Sequence, residues 1–202
     1  DLAIVAVPPE LHSAVAGACL EAGLDVLLEK PLCPASAAAR DLAARFGAAG
    51  RILFGGHSER FHPVFLGLAD LKPEMGRVRK VDCLRVGPRP QPPPEGGALL
   101  DLGIHDLDLL QRWIGRPSWE WARSREDGSR EASGRSGGVE VALRCGYAAS
   151  KARRWRIETD SGTWTADFAA GRLGREDGCS AVLAGGDALE AEHAAFLDAR
   201  NG

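Results

Sequence analysis

Val26-Leu27-Leu28-Glu29-Lys30-Pro31 is the stretch on which the fold turns. Three apolar residues run together without polar alternation, the pattern of a strand covered on both faces, and then stop at an acid, a base and a proline. Leu2-Ala-Ile-Val-Ala-Val7 repeats the pattern upstream and is closed by Pro8-Pro9; Ile52-Leu53-Phe54 repeats it downstream and ends at Gly55-Gly56. Helical spacing fills the intervals. Glu10 to Ala22 carries Leu11, Val15, Ala18 and Cys19 on a helical period before Gly23, and Ala35 to Phe46 runs to Gly47. Strand, helix, strand, helix, strand with short connections implies parallel strands joined by right-handed crossovers. The expected class is α/β, opening on part of a doubly wound parallel sheet.

Ligands of such sheets sit beyond the carboxyl ends of the strands. Three ends should therefore share one crevice: Pro8-Pro9 with His12 just beyond, Glu29-Lys30-Pro31, and Gly56-His57. A lysine there can work near a reacting hydroxyl or carbonyl, since its pKa falls when it is desolvated. A surface lysine beside a structural proline explains the same residues equally well.

Asp101-Leu-Gly-Ile-His105-Asp-Leu-Asp108 follows a Pro/Gly-rich approach, Pro92-Pro-Pro-Glu-Gly96-Gly97, and continues to Gly115, which predicts one helix from Ala98 to Gly115. Residues four apart lie on one face, so Asp101 and His105 are neighbours and Asp108 extends the row. A carboxylate beside an imidazole suits acid–base chemistry. Taken alone, the motif reads more simply as a capped helix with a satisfied core histidine. Further on, Arg77 to Val86, Val139 to Cys145, Arg154 to Thr159 and Thr163 to Phe168 alternate as strands, with a hairpin turn at Asp160-Ser161-Gly162. Ser124 to Gly138 is polar and Gly-rich and is expected to be a mobile loop; Asp187 to Ala199 is expected to be helical.

The 202 residues are 45% hydrophobic and 26% charged, with net charge −3, which asks for neither a nucleic acid nor an anionic membrane as partner. The basic runs Arg77-Val-Arg79-Lys80 and Lys151-Ala-Arg153-Arg154-Trp155-Arg156 fit a solvated sheet face better than a phosphate groove. Cys19, Cys33, Cys83, Cys145 and Cys179 are scattered, with no C-x-x-C pair and no zinc spacing, and are expected to be reduced thiols in a cytoplasmic protein. No metal site is expected. Asp101 and His105 could supply two ligands four apart on a helix, but no further Cys or His is spaced to complete a shell. No apolar run is long enough for a membrane span, and no signal peptide is visible. The start at Asp1, without Met and on a strand, reads as a fragment whose upstream part is missing.

Three segments, in order, resemble the Gfo/Idh/MocA oxidoreductases, the relatives of glucose–fructose oxidoreductase and inositol dehydrogenase. They are Asp1 to His12 with Ala22 to Leu32, Gly56-His-Ser-Glu-Arg-Phe-His-Pro63, and Asp101 to Asp108. The resemblance implies that 1–58 is the C-terminal part of a Rossmann dinucleotide-binding domain. It implies that 59–202 is an α+β substrate and oligomerisation domain with an open, mostly antiparallel sheet. It further implies NAD or NADP as cofactor, held near Pro8, Pro9, His12, Glu29, Lys30 and Pro31. Lys30, His105 and Asp101 would be catalytic, with His105 as base for a sugar or polyol hydroxyl and Asp101 orienting it. Gly-His-Ser-Glu-Arg-Phe-His-Pro with Arg85-Val-Gly-Pro is most similar to the branch oxidising nucleotide sugars such as UDP-N-acetylglucosamine. Arg60 and Arg85 would then meet a diphosphate, together with Asp101 and His105 at the sugar; the competing reading for both arginines is a salt bridge. A homo-oligomer, dimer or tetramer, is implied by the open sheet, with Trp155 and Trp164 either on its uncovered face or in the core. The glycine-rich phosphate turn and the acidic residue that grips the adenosine ribose are not in this sequence, so NAD and NADP are not distinguished. The alternative class is an inactive member serving as a sugar-binding or dimerisation module.

Overall fold

Val26, Leu27 and Leu28 are 0% exposed because β2 (Asp25–Glu29) is the middle strand of three. It pairs in parallel with β1 (Leu2–Val5) on one side and β3 (Leu53–Gly56) on the other. Helices α1 (His12–Glu21) and α2 (Ser36–Ala48) cover it, with Ala16, Leu42 and Phe46 packed on Val5, Val26 and Leu28. β1 is less enclosed than its composition suggests: Leu2 is 36% and Ile4 50% exposed, because β1 is an edge strand of this sheet. In this computed structural model, which describes residues 1–92, 94, 96–178, 180–183 and 185–201, the chain divides into two units, 1–58 with 189–202 and 59–188. The closing helix α5 (Ala188–Asn201), expected in the second domain, belongs by its contacts to the first unit. Phe196 is 2% exposed with its ring 5.6 Å from that of Phe54, and Arg200 lies 3.5 Å from Asp25.

The second unit is one eight-stranded sheet. After α3 (Pro63–Met75) come β4 (Val78–Gly87), a wide π-helical turn (Leu99–Gly103), α4 (Ile104–Ile114), β5 (Ser118–Ser124), β6 (Arg130–Ser136) and β7 (Val139–Tyr147). Then follow β8 (Ala152–Thr159), β9 (Gly162–Asp167), β10 (Arg172–Arg175) and β11 (Ser180–Val182). The strand order is β11-β10-β9-β8-β4-β7-β6-β5, and only β4 and β7 run parallel. Inward residues alternate as a one-sided sheet requires: Val81, Cys83 and Arg85 on β4, Val141, Leu143 and Cys145 on β7, Trp155 and Ile157 on β8. Val64, Phe65 and Leu68 of α3 and Leu109, Leu110 and Trp113 of α4 complete this core.

Two expectations change here, and one left open is decided. Trp155 and Trp164 are core residues at 0% and 8% exposure, and the exposed tryptophans are Trp119 and Trp121 of β5. Ser124 to Gly138, expected to be a loop, contains β6 paired residue by residue with β7 from Arg130↔Cys145 to Ser136↔Val139. Its polar sequence hides the strand because neighbouring strands, not apolar alternation, hold it. The helix expected to run unbroken from Ala98 begins instead as the wide turn, which lets the Gly103 backbone lie against β7. A Cβ at Gly103 would stand 2.8 Å from Cys145 Sγ. Of the basic runs, Arg79 and Arg156 lie on solvated sheet in ion pairs with Asp160 and Glu176, whereas Arg153 and Trp155 turn to the inner face. Cys179 lies outside the described residues.

Candidate active site

In the first unit the expected crevice residues stand at the carboxyl ends of the three strands. His12 ties two of these ends together. Its Nδ1 is 2.9 Å from the Pro31 carbonyl and 3.2 Å from that of Leu32, and its Nε2 is 2.9 Å from the Val7 carbonyl. His12 is 0% exposed with both ring nitrogens on main chain, so it cannot touch a cofactor as expected; it holds the Pro8-Pro9 and Lys30-Pro31 segments in place. The Lys30–Pro31 peptide is cis, and the Lys30 amide donates to its neighbour Glu29 at 3.1 Å. Lys30 and Glu29 are half-buried. Gly56, in register with Glu29, is a close approach: a Cβ there would meet Glu29 Cα at 2.9 Å.

The second unit gathers its charges at one end of the inner sheet face. Asp106 follows His105 on α4 and falls in line with Leu109, Leu110 and Trp113, the buried stripe of that helix. A carboxylate at a core position must be hydrogen-bonded and paired. Arg85 supplies the pair from the last inward position of β4: Nε donates to Asp106 Oδ2 at 2.8 Å and Nη2 to Oδ1 at 3.2 Å. Trp155 Nε1 donates to the same Oδ1 at 2.8 Å. Arg153 stands directly across from Arg85 on β8. Two like charges facing each other are unfavourable, and Glu59 resolves the conflict from the 3-10 turn Ser58–Phe61. Its Oε1 accepts from Arg85 Nη1 at 3.2 Å and from Arg153 Nη1 at 2.5 Å. Burial opposes the Glu59 charge, but Arg85 and Arg153 together hold its carboxyl down at about 2. For Arg85 likewise burial opposes the charge, and Asp106 and Glu59 overcome it, raising its pKa. Burial lowers the pKa of nearby His62, with Glu59 opposing.

Arg85 is therefore corrected. At 2% exposure, with its fork taken by two carboxylates, it cannot grip a diphosphate. Arg60 is bound as well, Nε to Asp108 Oδ2 at 2.7 Å and Nη2 to Oδ1 at 2.5 Å. The salt-bridge reading holds for both. Asp101 sits in the wide turn, where the Tyr147 hydroxyl of β7 approaches Oδ2 at 3.4 Å. His105 opens α4, and both it and Asp101 are half-buried. Lys30 belongs to the first unit and Asp101 and His105 to the second. Sequence reasoning missed Glu59, Asp106, Arg153 and Tyr147. Asp106 was detectable, as the one acid in a leucine stripe. Arg85 and Arg153 could have followed from strand parity, whereas Glu59 has no such signal. Among the described residues no group of three or more His, Cys, Asp or Glu could hold a metal ion. No helix of the described residues is long and apolar enough to cross a membrane.

Comparison with known proteins agrees with this architecture. Residues 1–57 match the family profile described as oxidoreductase family, NAD-binding Rossmann fold, and residues 73–193 the one described as oxidoreductase family, C-terminal alpha/beta domain. A protein named as a UDP-kanosamine synthase oxidoreductase subunit, from Amycolatopsis mediterranei, is 34% identical across 83% of this chain and 57% of its own length. The myo-inositol 2-dehydrogenase of Thermotoga maritima is 33% identical across 71% of this chain and 45% of its own. The chain thus spans about half the length of the curated relatives it matches. UDP-N-acetylglucosamine 3-dehydrogenase from Acidithiobacillus ferrooxidans superposes with a TM-score of 0.86 at 27% identity, covering 100% of this chain and 69% of that one. With both halves matched in order, a three-stranded parallel unit before an open α/β sheet, the chain belongs to the Gfo/Idh/MocA oxidoreductase family.

Proposed function

We propose that the protein is an NAD(P)-dependent oxidoreductase that moves hydride between a sugar or polyol hydroxyl carbon and nicotinamide. The observation that carries this reading is the half-buried Asp101 of the wide turn and His105 in the first turn of α4, beside a buried cluster of paired charges, in a chain of this family. A nicotinamide nucleotide would be held at the carboxyl ends of the parallel strands, by the Pro8-Pro9 and Glu29-Lys30-Pro31 segments. When bound, that group supplies the hydride acceptor or donor. The chain's own part is the proton. His105 removes it from the hydroxyl as the C–H bond breaks and returns it in the reverse direction. Asp101, steadied by Tyr147, orients the hydroxyl. Lys30, at the end of β2, is the first unit's candidate for the nicotinamide side of the reaction.

A nucleotide sugar is the proposed substrate, supported by the names of two relatives, one a UDP-kanosamine synthase subunit and one a UDP-N-acetylglucosamine dehydrogenase. Homo-oligomerisation through the uncovered sheet face belongs to the same proposal. That face carries a depression of about 520 Å3 lined by Leu84, Trp121, Arg144 and Arg154, away from the charge cluster. A cytoplasmic location is proposed with it, supported by free thiols at Cys19, Cys33, Cys83 and Cys145. The test is reduced-nicotinamide formation by the protein with UDP-sugars, free sugars and inositols, using NAD and NADP in turn. Turnover on at least one sugar or polyol is expected, and none with any pair would reject the reading.

A further inference from the structure

The four charges under α4 are more than packing requires, since leucines could fill the same stripe. We propose that Glu59, Arg85, Asp106 and Arg153 form a positioning unit for His105, fixing the first turn of α4 and setting the field in which its imidazole takes up and releases a proton. The inference rests on the reading of His105 as the base. Geometry carries it. Arg85 grips the residue next to His105 by a two-pronged bond, 2.8 and 3.2 Å, and Trp155 holds that carboxylate from a third direction. Glu59 locks Arg85 to Arg153, so the helix start, two strands and the turn Ser58–Phe61 move as one body. Glu59 also feels the His105 charge, which places the imidazole within electrostatic reach of the cluster.

The cluster is balanced, with two cations and two anions. Among the described residues, the other charged and titratable groups at this end include Asp101 on the wide turn, Cys83 on β4, Cys145 and Tyr147 on β7, Arg89 over the Tyr147 ring, His62 before α3, and Asp108 bound to Arg60. Removing one member therefore leaves a net charge of known sign beside His105. Glu59→Gln removes an anion and destabilises the imidazolium; Arg85→Gln removes a cation and stabilises it.

The experiment follows the His105 ring by NMR titration, its resonance assigned by loss in His105→Ala, and in parallel the pH dependence of kcat/KM. Glu59→Gln is expected to move the His105 titration down by about one pH unit and Arg85→Gln up by about one. Arg85→Lys, which keeps the charge and loses the fork, should leave the titration in place while kcat/KM falls about tenfold. Glu59→Gln is isosteric and decides the matter even where an Arg85 variant does not fold. Unchanged titrations, or shifts in the same direction for both, would overturn the proposal. Opposite shifts in a protein without nicotinamide-linked activity would uphold the positioning unit and reject the dehydrogenase reading. Activity with unmoved titrations would do the reverse.

Discussion

Glu59 shows how one side chain can be both a structural cost and a structural link. Its carboxyl, ordinarily near 4.5, is held at about 2 because two guanidinium groups outweigh its burial. A carboxyl depressed on folding stabilises the fold above its unfolded pKa and loses that stabilisation as pH falls through its folded one. The window here runs from about 4.5 down to about 2. The shift corresponds to about 3 kcal/mol. In urea unfolding, wild type should exceed Glu59→Gln by that order at pH 6, and the gap should close progressively below pH 4.5; a gap independent of pH would contradict the pairing. At the same scale, His105→Ala is expected to lower turnover by roughly 10²–10⁴-fold, the usual acid–base contribution, read as initial rate on the true substrate. Unchanged turnover would remove His105 from the chemistry.

Among the elements, the wide turn before α4 decides where the site residues stand. Gly103 allows it, since an added Cβ would fall 2.8 Å from Cys145 Sγ and 3.0 Å from Leu99 Cδ1. Gly103→Ala should cost about 1–3 kcal/mol by overpacking, measured by chemical denaturation. Part of that should return in the Gly103→Ala, Cys145→Ala double variant, and strict additivity would show that the contact is not the cause. The turn also marks a limit of sequence reading. Asp101 to Gly115 carries helical spacing that a π-helical start does not erase, so the pattern shows a helix and not the widened turn. In β6, likewise, Arg130-Glu-Ala-Ser-Gly-Arg-Ser carries no apolar alternation, and only its ladder to β7 makes it a strand. By contrast β2 was plain in the sequence, because a central parallel strand must be apolar throughout.

For the whole molecule, the two units answer to different tests. Phe196 closes the first unit from the far end of the chain, against Phe54. Phe196→Ala should cost about 3–5 kcal/mol and speed amide exchange in β2 and β3; protection unchanged there would show that α5 contributes nothing to that core. In the second unit, Trp121 is 45% exposed on the uncovered sheet. If that face joins copies of the chain, Trp121→Glu should shift sedimentation velocity from oligomer to monomer, and an unaltered profile would place the interface elsewhere.

The sequence alone determined the parallel βαβαβ opening, the helix bearing His105, and the family, because apolar periodicity and short ordered motifs are local properties of the chain. Tertiary structure alone decided what Arg85, His12 and Glu59 do. Each looked available for a ligand or passed unremarked, and each is committed to partners between 5 and 94 residues away. Pairing of buried charges is enforced by the loss of water around them, and that loss exists only once distant strands and helices have closed over the site.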